Sequence, residues 1–208
     1  LAAEARLVQQ RAENEALIRE VLPAPIVEQL IDGATSAIEI YDAAVILQAD
    51  IAGFTPLAES MAPEGLVALL DELVSAFDDV CTRHRVEKLR TVGDAYIAAA
   101  GIPDRAPDAA DRALTAAREM LGAVRAIRER RQIRLELRIG VACGAVVAGI
   151  VGKRRYSLEL CGEVLDRAEH LQQSGHPGHV VVDDATRLRA HLHRFVAGED
   201  PACSLLAD

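Results

Sequence analysis

Two aspartates stand where apolar strands of the predicted fold reach the surface. Asp50 follows the run AAVILQ (43–48), which is typical of a strand covered on both faces. Asp94 lies in a tight Gly-Asp turn between the predicted strands 86–92 and 95–101. Taken singly, each aspartate is explained as well by a strand end or a turn. If these strands are neighbours in one sheet, both carboxylates reach the same edge, where they repel each other unless a cation lies between them. Oxygen ligands without thiols or clustered imidazoles indicate Mg or Mn and a phosphate-bearing substrate.

The turn that follows Asp50 suits the close approach of such a substrate. Gly53 has no side chain, so the backbone can come near another group. Thr55 followed by Pro56 predicts a helix start, with Thr55 as the N-cap and Pro56 at the first helical position. Backbone amides at such a position favour negatively charged groups.

The composition is that of an acidic globular protein. Of the 208 residues, 50% are apolar and 26% are charged, and the formal net charge is -9. This charge argues against a nucleic-acid partner. The sequence has no apolar run long enough to span a bilayer and no signal-peptide pattern. Because it begins at Leu1, we expect a fragment of a longer protein with an upstream sensor or membrane region, located in the cytoplasm or on the cytoplasmic face of a membrane.

The cysteines show no CxxC spacing, and three of the four lie in apolar surroundings. We therefore predict small core residues in a reducing compartment, and neither a disulfide frame nor a zinc site. The four are Cys81, Cys143, Cys161 and Cys203.

The chain divides into three predicted segments. Residues 1–22 lack Gly and Pro and predict a linker helix, in which heptad spacing with Asn14 at a core position is compatible with a parallel coiled coil. A solvated helix packed on its own domain is the alternative interpretation. Residues 23–40 form a connecting segment that opens with the helix-breaking LPAP, and residues 41–208 form the main domain.

Strand and helix patterns alternate through the main domain. Their order predicts an α+β sandwich with helices over a mostly antiparallel sheet. One predicted hairpin turns near Gly144, between LELRIGVACG and AVVAGIVG. The predicted helices cover residues 63–84, 108–131, 163–173 and 184–191, and two further short strands cover 156–161 and 179–183.

Four ordered motifs resemble the catalytic domain of class III adenylyl and guanylyl cyclases. The resemblance covers roughly residues 41 to 198. It implies a ferredoxin-like α+β sandwich, here preceded by a coiled-coil-like helix of the kind that often feeds such domains from a sensor. The motifs are ADIAGFT (49–55), EKLRTVGDAYIAAAGIP (87–103), LRIGVACGAVVAGIVG (137–152) and CGEVLDRAEHL (161–171).

The resemblance also implies a reaction and an assembly. A homodimer, formed through the catalytic domain and the N-terminal helix, would carry its active sites at the interface. Asp50 and Asp94, with the carbonyl of Ile51, would hold two Mg or Mn ions that activate the ribose 3′ hydroxyl of ATP for in-line attack on the α-phosphorus. The substrate-binding turn would consist of Ala52, Gly53, Phe54 and Thr55, with the amides of the first three on phosphate oxygens.

The base-recognition positions depart from the family pattern. Adenylyl cyclases usually carry a lysine where this chain has Arg90 and an aspartate or threonine where it has Glu159. Arg90 can donate to adenine N1 and Glu159 can accept from the 6-amino group, although the two could equally pair with each other. Lys88, two residues before Arg90, is expected on the same strand face. An arginine cannot accept a hydrogen bond from guanine, so ATP ranks above GTP.

The transition-state positions depart further. The family carries an asparagine and, four residues later, an arginine, where this chain has Asp166 and His170. Asp166 adds negative charge near a triphosphate, and a histidine is shorter than arginine and mostly neutral near pH 7. A surface Asp–His pair at i,i+4 spacing is the alternative interpretation. The late lysine expected for the terminal phosphates has no match, since GEDP (198–201) stands there.

Four functions remain open from the sequence. The prediction is an adenylate cyclase of weak turnover, favoured by Asp50 and Asp94. A catalytically degenerate domain that binds nucleotide or metal for regulation is favoured by Asp166 and His170, and guanylyl cyclase activity is a further alternative. A dimerisation module without nucleotide rests only on the predicted helix of residues 1–22.

Overall fold

The computed structural model describes residues 38–151, 157–198 and 203–207. The predicted helix of residues 1–22, the following residues up to 37 and most of the GEDP segment lie outside this range. The strands are β1 (Ile38–Ala52), β2 (Glu87–Val92), β3 (Ala95–Ala100), β4 (Glu136–Val151), β5 (Ser157–Cys161), β6 (Val180–Asp183), β7 (Phe195–Ala197) and β8 (Cys203–Leu206). The helices are α1 (Phe54–Ser60), α2 (Pro63–His84), α3 (Ala109–Arg131), α4 (Glu163–Ser174) and α5 (Asp184–Arg189).

The sheet has the predicted mixed character. Hydrogen-bonded neighbours follow the order β2, β3, β1, β4, β6, β8 and β7, and β5 pairs with β4. β3 runs antiparallel to β1 and β2, β5 to β4, and β8 to β6 and β7, whereas β4 and β6 are parallel. The predicted α+β class with a mostly antiparallel sheet is confirmed. None of the helices in the described ranges has the length and apolarity needed to cross a membrane.

The described residues fall into two units. The larger contains residues 41–146, 162–198 and 203–207, and the smaller contains residues 38–40, 147–151 and 157–161. In the smaller unit, β5 and the end of β4 form an antiparallel ladder with Gly149 opposite Glu159.

One face of the larger unit's sheet packs against α2 and α3. Alternate residues of β1, among them Leu47 and Ile51, join a buried core with Leu73 of α2 and Met120 of α3. The helices present apolar residues at helical spacing toward this face, which explains why these segments form helices.

The opposite face of β4 carries glycines because α4 lies directly on it. A Cβ at Gly140 would clash with the carbonyl oxygen of Ala168, and one at Gly144 would lie 3.1 Å from the Cβ of Val164. Residues that alternate with these glycines point into the α2–α3 core. Bare backbone on β4 therefore fixes how closely α4 can approach.

Two local expectations are wrong. β4 continues unbroken through Gly144, so no hairpin turns there, because this glycine makes room for α4. The first helix begins at Phe54 and its N-cap is Gly53, in the left-handed region at φ 73°, with no side-chain cap hydrogen bond. Thr55 therefore lies inside the first turn and does not cap the helix.

The cysteine prediction is correct only in part. All four are free, but only Cys81 and Cys143 are buried, while Cys161 is exposed and Cys203 is partly exposed. Burial raises the pKa of the Cys81 thiol to about 11, against the smaller opposing effect of its hydrogen bond with Tyr96.

Candidate active site

The two aspartates meet at one edge of the sheet in the larger unit. Asp50 lies near the end of β1, and Asp94 follows Gly93 in the turn from β2 to β3, where the β1–β3 ladder sets Ala49 opposite Tyr96. The two carboxyl groups are within hydrogen-bonding reach of each other. Burial, followed by the charge of Asp50 and this hydrogen bond, raises the pKa of Asp94 above its usual value. Antiparallel neighbouring strands thus bring the carboxylates together.

Asp50 is also held by two side chains that the sequence analysis did not single out. Arg138 of β4 donates from Nη2 to Asp50 Oδ2 at 2.7 Å. Gln172 of α4, which is buried, donates from Nε2 to the same oxygen at 3.2 Å. The Nε of Arg138 is buried without a hydrogen-bond partner in the described part of the chain. The only sequence signal for Arg138 is a single charge inside the apolar run LRIGV.

The turn after β1 borders an open cavity of about 600 Å³. It is lined by residues of this turn and of the entry to β4, namely Ala52, Gly53, Pro56, Leu57, Arg134, Leu135 and Glu136. Nothing lies within 4 Å of the position that a Cβ on Gly53 would occupy. A side chain at Gly53 is therefore excluded by the left-handed backbone, and the space over the turn is open to a ligand.

The donor set at this edge fits a divalent metal ion. The carboxylates of Asp50 and Asp94 offer the hard oxygen ligands that Mg and Mn prefer, and the backbone amide of Ile51 lies close enough to donate to Asp94. The pKa of Asp94 is raised first by burial and then by the charge of Asp50, and a bound cation would oppose both effects. Among the described residues, no cluster of three or more His, Cys, Asp and Glu side chains suits a metal. The set therefore depends on two carboxylates supplemented by backbone and substrate oxygens.

Arg90 and Lys88 lie on opposite faces of β2, so the expectation that they share a face is wrong. Lys88 stands opposite Ala98, but Arg90 stands opposite the adjacent Ile97, because the register shifts between them. Lys88 is occupied by Asp78, with Nζ 2.8 Å from Oδ2. Arg90 is exposed, and it too takes part in an interaction within the chain.

Glu159 lies on β5 in the smaller unit, opposite Gly149. Its predicted role with Arg90 therefore stays a prediction.

Asp166 and His170 are both exposed on α4. In the described part of the chain, no hydrogen bond or ion pair joins the two side chains, and their catalytic role stays a prediction. Arg167, on a different side of the helix, pairs with Asp183 at 2.9 Å and donates to the carbonyl of Cys143 at 2.8 Å. Arg167 therefore fastens α4 to the sheet and is not available to a substrate.

Comparison with known families identifies this arrangement. The family model for the adenylate and guanylate cyclase catalytic domain matches residues 37–199. The chain belongs to this family. The resemblance of the four sequence motifs is thereby confirmed.

Relatives with both nucleotide specificities are similar to this cyclase domain. An adenylate cyclase of Mycobacterium tuberculosis is 37% identical over 183 residues, which cover 88% of this chain and 41% of that protein. A receptor-type guanylate cyclase of Caenorhabditis elegans is 35% identical over 179 residues, covering 85% of this chain and 14% of that protein. The chain thus spans less than half the length of these relatives.

Solved cyclase structures share the fold. The adenylyl cyclase CyaB from P. aeruginosa superposes with a TM-score of 0.75 at 20% identity, covering 83% of this chain and 96% of that one. The catalytic core of a rhodopsin-guanylyl cyclase with converted specificity, in complex with ATPαS, gives 0.73 at 24% identity, covering 81% and 96%. At these identities the likeness establishes the architecture alone.

Proposed function

We propose that this cyclase domain converts ATP to 3′,5′-cyclic AMP and pyrophosphate. The observation that carries the proposal is the Asp50–Asp94 pair at one sheet edge, where burial and then the neighbouring Asp50 raise the pKa of Asp94. Arg138 supplies one positive charge against the two carboxylates, so the pair can still take up a cation, which favours metal-dependent chemistry.

The chain's own residues support each part of the reaction. Asp50, Asp94 and the carbonyl of Ile51 would hold Mg or Mn, proposed as two ions per site. When bound, these ions supply positive charge that favours ionisation of the ribose 3′ hydroxyl and stabilises the triphosphate. Gln172 orients the Asp50 carboxylate by donating to Oδ2. The cavity beside the turn Ala52–Thr55 leaves room for the phosphates.

Arg138 is the further substrate-binding residue of this proposal. Its Nη2 pairs with Asp50, and its Nε has no hydrogen-bond partner in the described part of the chain. With a cation on Asp50, the guanidinium can turn its adjacent donors to a phosphate group, an acceptor that arginine binds in bidentate fashion. The ribose 3′ oxygen then bonds to the α-phosphorus, the bond to the bridging oxygen of pyrophosphate breaks, and the hydroxyl proton is released.

The preference for ATP depends on Arg90 and Glu159, supplied by the second subunit of a homodimer. Arg90 is an exposed donor, which suits adenine N1 and not the donor N1 of guanine. Glu159 would accept from the 6-amino group. Asp166 and His170 would join the same half of the site.

A second candidate is a degenerate cyclase domain that binds nucleotide and metal for regulation. Asp166 and His170 favour it, because they are exposed and unpaired with each other in the described chain. An aspartate near the triphosphate opposes the charge that forms during the reaction.

A purified-protein assay with ATP and GTP, each with Mg and with Mn, separates these candidates. Cyclic AMP formation that is lost in Asp94→Asn and kept in Asp71→Asn, an exposed control on α2, supports the proposal. Cyclic GMP formation without cyclic AMP overturns the ATP assignment. Metal-dependent nucleotide binding without either product supports the degenerate candidate instead.

The shared site has its own test. An Asp94→Asn chain mixed with a Glu159→Gln chain should recover activity above either parent, because one site of the heterodimer keeps both halves. No recovery, with an active wild type, contradicts the assignment of Glu159 to the partner's half.

A further inference from the structure

A second cavity lies in the larger unit, at the end of β1 remote from Asp50. Its volume is about 350 Å³, within the range of small-molecule sites. Tyr41, at the opposite end of β1, lines it, and Asp50 lies nine residues further along the extended strand. At about 3.3 Å per residue the two places are roughly 30 Å apart, so this cavity is distinct from the cyclase site.

The walls of the cavity are held in place by two adjacent buried charges in the first turn of α3. The carboxylate of Asp111, buried, accepts from the backbone amides of His191 and Leu192 at 2.9 and 2.8 Å. These bonds anchor the segment that carries Leu188 and His191 along one wall. The wall is therefore preformed and does not depend on a ligand for its position.

Arg112, the next residue along α3, holds the other wall. Its buried guanidinium pairs with Asp104 at 2.7 Å and with Asp108 at 3.1 Å. Arg105 lies between Asp104 and Asp108 in the chain and has a φ of 46°. Its guanidinium stacks on the buried ring of Tyr41, 4.6 Å from the ring centroid. Burying charged groups is unfavourable unless they are paired. Both walls are thus held by buried, paired charges, which a cavity formed only by imperfect packing would not need.

The lining selects for a small anion with an apolar body. Among the described lining residues, Arg105, Arg189 and His191 carry basic side chains, and Asp42 supplies the one carboxylate. In the described part of the chain no carboxylate pairs with Arg189, whose Nη1 donates only to the carbonyl of Ala185 in its own helix. The remaining lining is apolar or small, and includes Tyr41, Val45, Pro107, Ala109, Ala110 and Leu188.

We propose that this cavity is a binding site for a small organic carboxylate, with Arg189 as the principal charge partner of the ligand. Guanidinium and carboxylate match in charge and in donor geometry. The apolar walls accept a ring or a short aliphatic body, and Asp42 excludes ligands of high negative charge. The site does not depend on cyclase activity.

Binding of 2-naphthoate and benzoate by the full chain, measured by calorimetry and by amide shifts of Tyr41 and Ala106, tests the proposal. We expect saturable binding below about 5 mM, and at least tenfold weaker binding of the neutral matches 2-naphthamide and benzamide. Arg189→Gln should weaken binding by about ten- to a hundredfold. Arg187→Gln, on the same short helix but paired with Asp184 and absent from the lining, should leave it unchanged.

Several outcomes overturn the proposal. They are the absence of binding by both acids, equal binding of acids and amides, or an Arg189→Gln variant that binds like wild type. Tighter binding of inorganic phosphate than of either acid also overturns it, because the apolar body would then be irrelevant. Arg189 is exposed, so its replacement should not impair folding, and circular dichroism of the variant verifies this.

Discussion

The two ends of β1 use buried charge in opposite ways. At the Asp50 end, two carboxylates face each other and the pKa of Asp94 is raised by burial and by the charge of Asp50. At the Tyr41 end, Asp111 and Arg112 are each matched by complementary partners, and a hydrogen bond from Arg112 lowers the pKa of Asp104. At the Asp50 end one arginine, Arg138, pairs with a group of two carboxylates, which can therefore still take up a cation, whereas at the Tyr41 end the buried charges are matched by partners of the chain itself.

The largest expected effect is on turnover. Asp94→Asn should lower cyclase turnover by at least ~10³-fold, since metal-assisted charge stabilisation is removed from the reacting groups. Folding should be kept, because the change removes a repelled charge. A kinetic assay with Mn-ATP beside a urea titration measures both, and an active Asp94→Asn enzyme would show that the pair is not the metal site.

At the Tyr41 end of β1 we expect the opposite result, a loss of stability without a loss of turnover. Asp111→Ala leaves the backbone amides of His191 and Leu192 without their carboxylate acceptor, and should reduce the free energy of unfolding by about 1–3 kcal/mol. Turnover per folded molecule should stay near wild type. Asp79→Ala, an exposed aspartate on α2, is the control and should change stability by less than about 0.5 kcal/mol. Equal loss of stability in both variants would contradict the assigned anchor.

Substitutions at the exposed positions of α4 test whether this helix takes part in the reaction. Restoring the family pattern with Asp166→Asn and His170→Arg should raise turnover by roughly 10²-fold, because an arginine places fixed positive charge near the α-phosphate. The measurement is turnover with Mn-ATP, with Glu169→Gln as a surface control on the same helix. An unchanged rate would show that this helix does not reach the reacting phosphate.

The smallest effect is the pH dependence of stability, which should have opposite signs at the two ends. Asp94 has a raised pKa in the folded chain, so in metal-free protein its favourable contribution is present at low pH and is lost as pH rises through that pKa. Asp104 has a lowered pKa, so its contribution is present above the unfolded-state value and is lost as pH falls. Unfolding curves of Asp94→Asn and Asp104→Asn between pH 3 and 7 should each remove one of these slopes. Slopes of the same sign would refute the comparison.

The sequence was informative where a local pattern determined position. The apolar strand before Asp50 and the tight turn at Asp94 sufficed to predict that both carboxylates reach one edge. Arg138 was missed because one arginine in a strand is indistinguishable from a solvated residue until its neighbour strand is known. Gln172 was missed for the same reason on a helix.

Local register was not available from the sequence. Lys88 and Arg90 have the two-residue spacing of a shared face, but the register shift in β2 separates them. The run around Gly144 resembles a turn, because glycine is as common in turns as in strands that another element approaches closely. Only the position of α4 distinguishes the two cases.

The hydrogen bond from Gln172 to Asp50 links metal occupancy to the position of α4. A cation bound to Asp50 changes the charge on the oxygen to which Gln172 donates, so metal binding at the sheet edge is energetically coupled to the position of α4. In the proposed homodimer, α4 of one subunit also serves the site of the other. The two sites should then bind metal-nucleotide cooperatively, with a Hill coefficient that moves toward one in Gln172→Leu.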